Sequence, residues 1–199
     1  MEKIAFYGGS FNPPNIIHYE IAKTVINELN IDKLFFVPVG NYYKKSGLID
    51  VKHRYNMLKE MCCKDEKIFV SDISLEEKKN IKAIDMFRKL ELKYNNSENY
   101  YIMGADNFQN IMTWKESEEL LKNFKIIIIQ RDNIDINYFI NKYEIIANNK
   151  NNLYIINKNE EFLYDSSIIR NSIKRNIYLE GSLDENVKKY IDDNGLYRD

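Results

Sequence analysis

The stretch KIAFYGGSFNPPNIIH, Lys3 to His18, decides the fold. Lys3 to Tyr7 is an apolar run of strand length, and Gly8 and Gly9 follow it without a break. Pro13 and Pro14 interrupt the chain, and a helical pattern then runs from Ile16 to Leu29. Strand, paired glycines, turn and helix in that order predict a βα unit with its loop at the carboxyl end of the strand. The glycines let a ligand approach the backbone closely. Exposed N–H groups and the positive end of the helix favour phosphate. The loop has neither GxxxxGK[ST] nor GxGxxG, so it is a phosphate loop of another kind.

Outward from this unit, short apolar runs recur at Lys33 to Val37, Lys67 to Val70, Tyr100 to Met103, Lys125 to Ile129 and Leu153 to Ile156. Helical stretches are expected at Val51 to Cys63, Ile81 to Tyr94, Ser117 to Leu121, Ile136 to Ala147, Ser167 to Arg175 and Leu183 to Asp193, with Asp50 and Asp184 near helix starts. This alternation predicts an α/β fold around a central parallel sheet. FKIIII, Phe124 to Ile129, is apolar at consecutive positions, as a central strand covered by helices on both faces must be. Ligands of such sheets bind beyond the carboxyl ends of the strands. The loops after Tyr7, Val37, Met103 and Ile156 are therefore expected to line the site.

The chain has 199 residues, 44% of them hydrophobic and 30% charged, which suits one compact domain spanning 1–199. Its three prolines all fall between Pro13 and Pro38, and no linker or repeat divides it. With 29 basic against 30 acidic residues, bulk attraction to nucleic acid or to a membrane is not expected, and any phosphate site must be local. Cys62 and Cys63 are adjacent, which suits neither an ordinary disulfide nor a zinc site and points to a reducing cytoplasm. The opening MEKIAFYGG is too short for a signal core, and no later run is long enough to span a bilayer.

His18 falls in the first turn of the first helix, where its imidazole can donate to a phosphate oxygen, although a lone helical histidine is commonly structural. His18 and His53 are the two histidines of the chain, and no nucleophile elbow accompanies them, which disfavours hydrolase chemistry. Near the other end, DSSIIR, Asp165 to Arg170, places hydroxyls at a helix start with an arginine one turn along, a second anion cradle. The plainer alternative is a helix capped by Ser166 with Arg170 in solvent.

Taken together, GGSFNPP with His18, MGAD with Trp114, and SSIIR resemble the nicotinate-nucleotide adenylyltransferase family of HxGH-type nucleotidylyltransferases, in order and spacing across nearly the whole chain. VPVG before a lysine-containing loop, HRYNML at His53 to Leu58, WKESEELL after Trp114 and VKKYIDDNGLY at Val187 to Tyr197 add to the resemblance. It implies a Rossmann-like fold and transfer of AMP from ATP to a pyridine mononucleotide, with nicotinate mononucleotide the leading acceptor and nicotinate adenine dinucleotide the product, with Mg²⁺ assistance and release of pyrophosphate. It further implies small nucleotides as partners, not nucleic acid or membrane, and leaves homo-oligomers open. Under the resemblance, His18, Lys44 and Arg170 serve catalysis. ATP is held by Gly8, Gly9, Ser10, Phe11, Asn15, His18, Gly104, Asp106, Ser166, Ser167 and Arg170. The acceptor meets Lys44, with Lys45 as the alternative, and stacks on Trp114. No protein metal ligand is assigned.

Three departures from the family pattern stand out. Asn15 takes the place of the first histidine of HxGH and Ile17 that of its glycine. An asparagine donates a hydrogen bond but carries no positive charge. IKAIDMF, Ile81 to Phe87, replaces a Ser-Tyr-Thr-containing stretch, and Asp165 replaces a serine before Ser166. Two alternatives follow: a nucleotidylyltransferase using another phosphorylated acceptor, or CTP, and a nucleotide-binding regulatory module with weakened catalysis.

Overall fold

The structure is a computed structural model that describes residues 1–130, 134–157 and 164–198. Six parallel strands form one sheet in the order β3-β2-β1-β4-β5-β6: β1 Glu2–Gly9, β2 Lys33–Pro38, β3 Ile68–Val70, β4 Ser97–Gly104, β5 Lys125–Gln130 and β6 Leu153–Asn157. Nine α-helices join them among the described residues: α1 Ile16–Leu29, α2 Val51–Cys62, α3 Ala83–Lys93, α4 Ala105–Phe108, α5 Ser117–Asn123, α6 Ile136–Lys142, α7 Glu144–Asn148, α8 Ser166–Lys174 and α9 Glu185–Asp193. The expected parallel α/β architecture is the one observed.

Alternation along the strands builds two cores. Ala5 and Tyr7 of β1, with Ile127 and Ile129 of β5, pack under α1, α2, α8 and α9. Ile4 and Phe6, with Ile126 and Ile128, pack on the opposite face against residues of α3, α4 and α5. This is why Ile126 to Ile129 are apolar at consecutive positions: each of these residues in a strand covered on both faces has a core to enter. Strand order reverses between β1 and β4, so the connections leave in opposite directions and open a crevice at the carboxyl ends of those two strands.

Several boundaries differ from expectation. β1 continues through Gly8 and Gly9, paired with Val37 and Pro38, so the glycines are strand residues and the turn begins at Ser10. The helix expected from Ile136 to Ala147 is two, because Tyr143 adopts an extended conformation (φ −119, ψ 113) between them. α3 begins at Ala83, not Ile81. Asp50 and Asp184 cap α2 and α9, accepting from the backbone N–H groups of Lys52 (2.7 Å) and Asn186 (2.8 Å). Residues 158–163, where a site-lining loop was expected after Ile156, lie outside the described residues.

Burial has a consequence at Cys62. Desolvation, reinforced by the Asp65 carboxylate, pushes its thiol from 9.0 up to about 12. The unfolded chain therefore releases this proton first, and the associated stability is lost as pH rises above the unfolded value. The loss is about 1 kcal/mol at about pH 10. Urea unfolding from pH 8 to pH 10 should accordingly show a shallower decline in Cys62→Ala than in the parent; equal declines would count against this buried titration.

Candidate functional site

A cleft of about 730 Å³ lies at the carboxyl ends of β1 and β4, where the strand order reverses. Its lining includes Gly8, Gly9, Ser10, Phe11, Asn15 and His18 from the first βα unit, and Gly104, Asp106 and Trp114 from the segment after β4. Lys45, Lys82, Ser166 and Ser167 are also among the lining residues. Residues far apart in sequence thus share one volume.

Local geometry fixes the glycine loop. A Cβ on Gly9 would stand 2.8 Å from the Phe11 ring, whereas one on Gly8 would meet nothing within 4 Å. Phe11 adopts a left-handed conformation (φ 47), costly for an aromatic residue, and turns its ring inward. That ring packs edge-on against His18 (5.1 Å), Phe36 (5.2 Å) and Tyr7 (5.6 Å). Although Phe11 touches the cleft, it is 1% exposed, and its main part belongs to the floor.

His18 and Asn15 form a reciprocal capping box at the start of α1. Asn15 Oδ1 accepts from the His18 backbone N–H (3.1 Å), while His18 Nδ1 accepts from the Asn15 backbone N–H (3.1 Å). With Nδ1 an acceptor, the neutral ring carries its proton on Nε2. The Asn15 carboxamide also donates to the Tyr164 carbonyl (3.4 Å). The residue at the first HxGH position is therefore spent on holding the helix start and closing it against the segment before α8.

The second cradle is built differently from expectation. Asp165, not Ser166, caps α8, accepting from the N–H groups of Ser167 (2.7 Å) and Ile168 (2.8 Å). A carboxylate of the protein thus occupies the helix end that was expected to take phosphate. Ser166 Oγ donates to the Pro13 carbonyl (2.9 Å). Arg170 is half-buried and outside the cleft lining, donating to the Asn12 carbonyl (2.7 Å), the Ser166 carbonyl (3.1 Å) and Ser167 Oγ (3.2 Å). DSSIIR is, in this structure, a brace between α8 and the glycine loop.

The two lysines are distinguished. Lys45 donates to Ser10 Oγ (3.1 Å) and lines the cleft together with Tyr43, whereas Lys44 is exposed and outside the lining. Trp114 resolves both ways, packing in part against the core on the α3 side and presenting its remainder to the cleft. Ile81, Lys82, Ala83, Met86 and Phe87, from the altered IKAIDMF stretch, also line the cleft.

The residues beneath the loop, Arg54 and Asn12, have no site role assigned by motif. Arg54 is fully buried and donates to the carbonyls of Ile49 (2.9 Å), Ser10 (2.9 Å) and Val39 (2.6 Å). Desolvation pulls its guanidinium down to about 10. The readable signal was its place on α2: Val51, Arg54, Met57, Leu58 and Met61 form one buried face, with an arginine where the period asks for a hydrophobe. Asn12, 1% exposed, donates to the Gly47 carbonyl (2.7 Å) and accepts from the Tyr197 hydroxyl (2.9 Å).

Among the described residues, no helix is long and apolar enough to cross a membrane. A family model described as cytidylyltransferase-like matches residues 6–172. The chain is 32% identical over 197 residues to a probable nicotinate-nucleotide adenylyltransferase of Carboxydothermus hydrogenoformans, covering 98% of each chain. It is 35% identical over 196 residues to the protein of the same description in Fusobacterium nucleatum, covering 96% of this chain and 97% of that one. Among solved structures it matches the Plasmodium falciparum nicotinic acid mononucleotide adenylyltransferase complexed with NaAD, with a TM-score of 0.81 and 24% identity over 99% of this chain and 98% of that one. At that identity the structural match speaks for the fold.

Proposed function

Because the chain belongs to the cytidylyltransferase-like family and, within it, to the nicotinate-nucleotide adenylyltransferases, we propose that it transfers AMP from ATP to nicotinate mononucleotide, yielding nicotinate adenine dinucleotide and pyrophosphate. The observation that supports this for its own residues is the single cleft that gathers the glycine pair, His18, Asp106, Trp114 and Lys45. We assign the whole chain, 1–199, to one nucleotidylyltransferase domain acting in the cytoplasm, where the free Cys62 and Cys63 stay reduced.

The acceptor phosphate oxygen attacks the α-phosphorus of ATP in line; a P–O bond forms as the bond to the β-phosphate breaks, and pyrophosphate leaves. No protein nucleophile is needed, so the residues align the reactants and spread the developing charge. Gly8 admits the triphosphate to the backbone, and His18 Nε2–H donates to its oxygens. Lys45 supplies the positive charge that Asn15 lacks and meets the acceptor phosphate, Trp114 stacks on the pyridine ring, and Asp106 approaches a ribose. Ser166, Ser167 and Arg170 act by bracing the loop.

Magnesium fits this donor set in one way. No group of three His, Cys, Asp or Glu side chains among the described residues is disposed to hold a metal, so the ion would ride on phosphate oxygens and water, with Asp106 as the nearby carboxylate. When bound, it offsets charge on the phosphates.

Two substitutions separate binding from folding. Gly8→Ala should leave stability unchanged and weaken ATP binding about tenfold, because its methyl enters open cleft. Gly9→Ala should cost about 1–3 kcal/mol through contact with Phe11. Isothermal titration and urea unfolding check both, and a stable Gly9→Ala protein would contradict the packing described. On the acceptor side, Trp114→Ala should raise the KM for nicotinate mononucleotide about tenfold, the range expected for lost base stacking. An unchanged KM would remove Trp114 from the acceptor site.

The reading itself is tested by offering ATP or CTP with nicotinate or nicotinamide mononucleotide and identifying products by mass. Nicotinate adenine dinucleotide is the expected main product; preference for another pair would replace the substrate assignment. One observation favours the reading of a binding module with weakened turnover: Asn15 carries no charge, and its side chain is engaged within the protein. That reading predicts ATP binding without product.

A further inference from the structure

Arg54 carries a charge into the interior, where no carboxylate lies within ion-pair distance among the described residues, and its guanidinium instead grips three backbone carbonyls. Such burial is costly unless every donor is used in a fixed geometry. The three carbonyls belong to the two segments that face each other across the phosphate end of the cleft: Ser10 in the glycine loop, and Val39 and Ile49 at the two ends of the loop that bears Lys45. A second tie runs parallel to it. Asn12 holds the Gly47 carbonyl (2.7 Å), and the Tyr197 hydroxyl, from the C-terminal tail, donates to Asn12 Oδ1 (2.9 Å). Lys45 then reaches Ser10 Oγ across this braced gap.

We infer that Arg54, with the Asn12–Tyr197 tie beside it, is a positioning residue for AMP transfer: it sets the spacing between the glycine loop and Lys45, and hence between the triphosphate and the acceptor phosphate. Arg54 is fully buried and stands outside the cleft lining. Its planar fork, with donors on Nε, Nη1 and Nη2, is what spans three carbonyls at once; a lysine ammonium is a single point and does not. The inference rests on the adenylyltransferase reading for its catalytic consequence, while the mechanical part stands on the hydrogen bonds alone.

Arg54→Lys, Arg54→Met and Tyr197→Phe test it, each compared with the parent by steady-state kinetics and by hydrogen exchange of the unliganded protein. In Arg54→Lys, kcat should fall at least about tenfold, with the KM for ATP changed less than about threefold, the pattern of lost alignment. Exchange should accelerate at residues 10–12 and 39–50 while β4 and β5 keep the parent protection. Tyr197→Phe, which deletes one hydroxyl, should show the same local exchange and a kcat loss of about threefold. A folded Arg54→Lys protein with parent kcat overturns the inference, as does a kcat loss without acceleration in those two segments. Should both arginine variants unfold, Tyr197→Phe decides, and parent kcat there overturns it. If the parent makes no product, the adenylyltransferase reading fails separately, and exchange alone judges the brace: no local acceleration in a folded variant overturns it too.

Discussion

His18→Ala should lower kcat by about a hundredfold to a thousandfold, the range found when a preorganised donor to developing charge is removed. The expectation follows from how the ring is held. Its Nδ1 accepts from the Asn15 N–H, which leaves the proton on Nε2, and the Phe11 ring fixes its plane from the side. The fold should survive, because Asn15 Oδ1 caps the backbone N–H of position 18 whatever side chain stands there. Losing the bond to the Asn15 N–H costs about 1 kcal/mol, and the edge contact with Phe11 goes with the ring. Circular dichroism and urea unfolding should therefore show a folded helix while turnover collapses. Turnover within about threefold of the parent would take His18 out of the mechanism.

Lys45→Ala should lower kcat/KM by about tenfold to a hundredfold, and Lys44→Ala should leave it within about twofold. Adjacent lysines in a loop are indistinguishable by composition, and the resemblance placed Lys44 first. The structure separates them, with Lys45 on Ser10 Oγ at the cleft wall and Lys44 outside it. Asn15 makes the difference matter, since a neutral side chain at that position leaves fewer positive groups to offset charge on the phosphates. The loss in Lys45→Ala should shrink as ionic strength rises, because an exposed ammonium acts through a screened field. Equal losses in the two variants would mean that the loop contributes bulk charge instead of a placed contact.

The strands and the cleft were legible because their signals are local and periodic. The consecutive isoleucines of FKIIII fit a strand with a core on each face, and Gly8–Gly9 after an apolar run marked a strand end that lines the cleft. What escaped depends on long-range partners. Whether DSSIIR cradles an anion or caps its own helix turns on the Asp165 side chain and on Arg170 finding the Asn12 carbonyl, 158 residues away in sequence. The break at Tyr143 is likewise a backbone choice that the apolar pattern of Ile136 to Ala147 does not show. Arg54 was visible as an anomaly on an apolar helix face, but its partners are carbonyls of two loops that sequence does not bring together.

Pyrophosphate release by the purified protein with ATP, Mg²⁺ and, separately, nicotinate and nicotinamide mononucleotides, run beside His18→Ala, is the most direct measurement. Release in step with dinucleotide formation, absent without acceptor and lost in the variant, is the predicted result. No release with either pyridine mononucleotide, from a protein that binds ATP, would contradict AMP transfer to these acceptors.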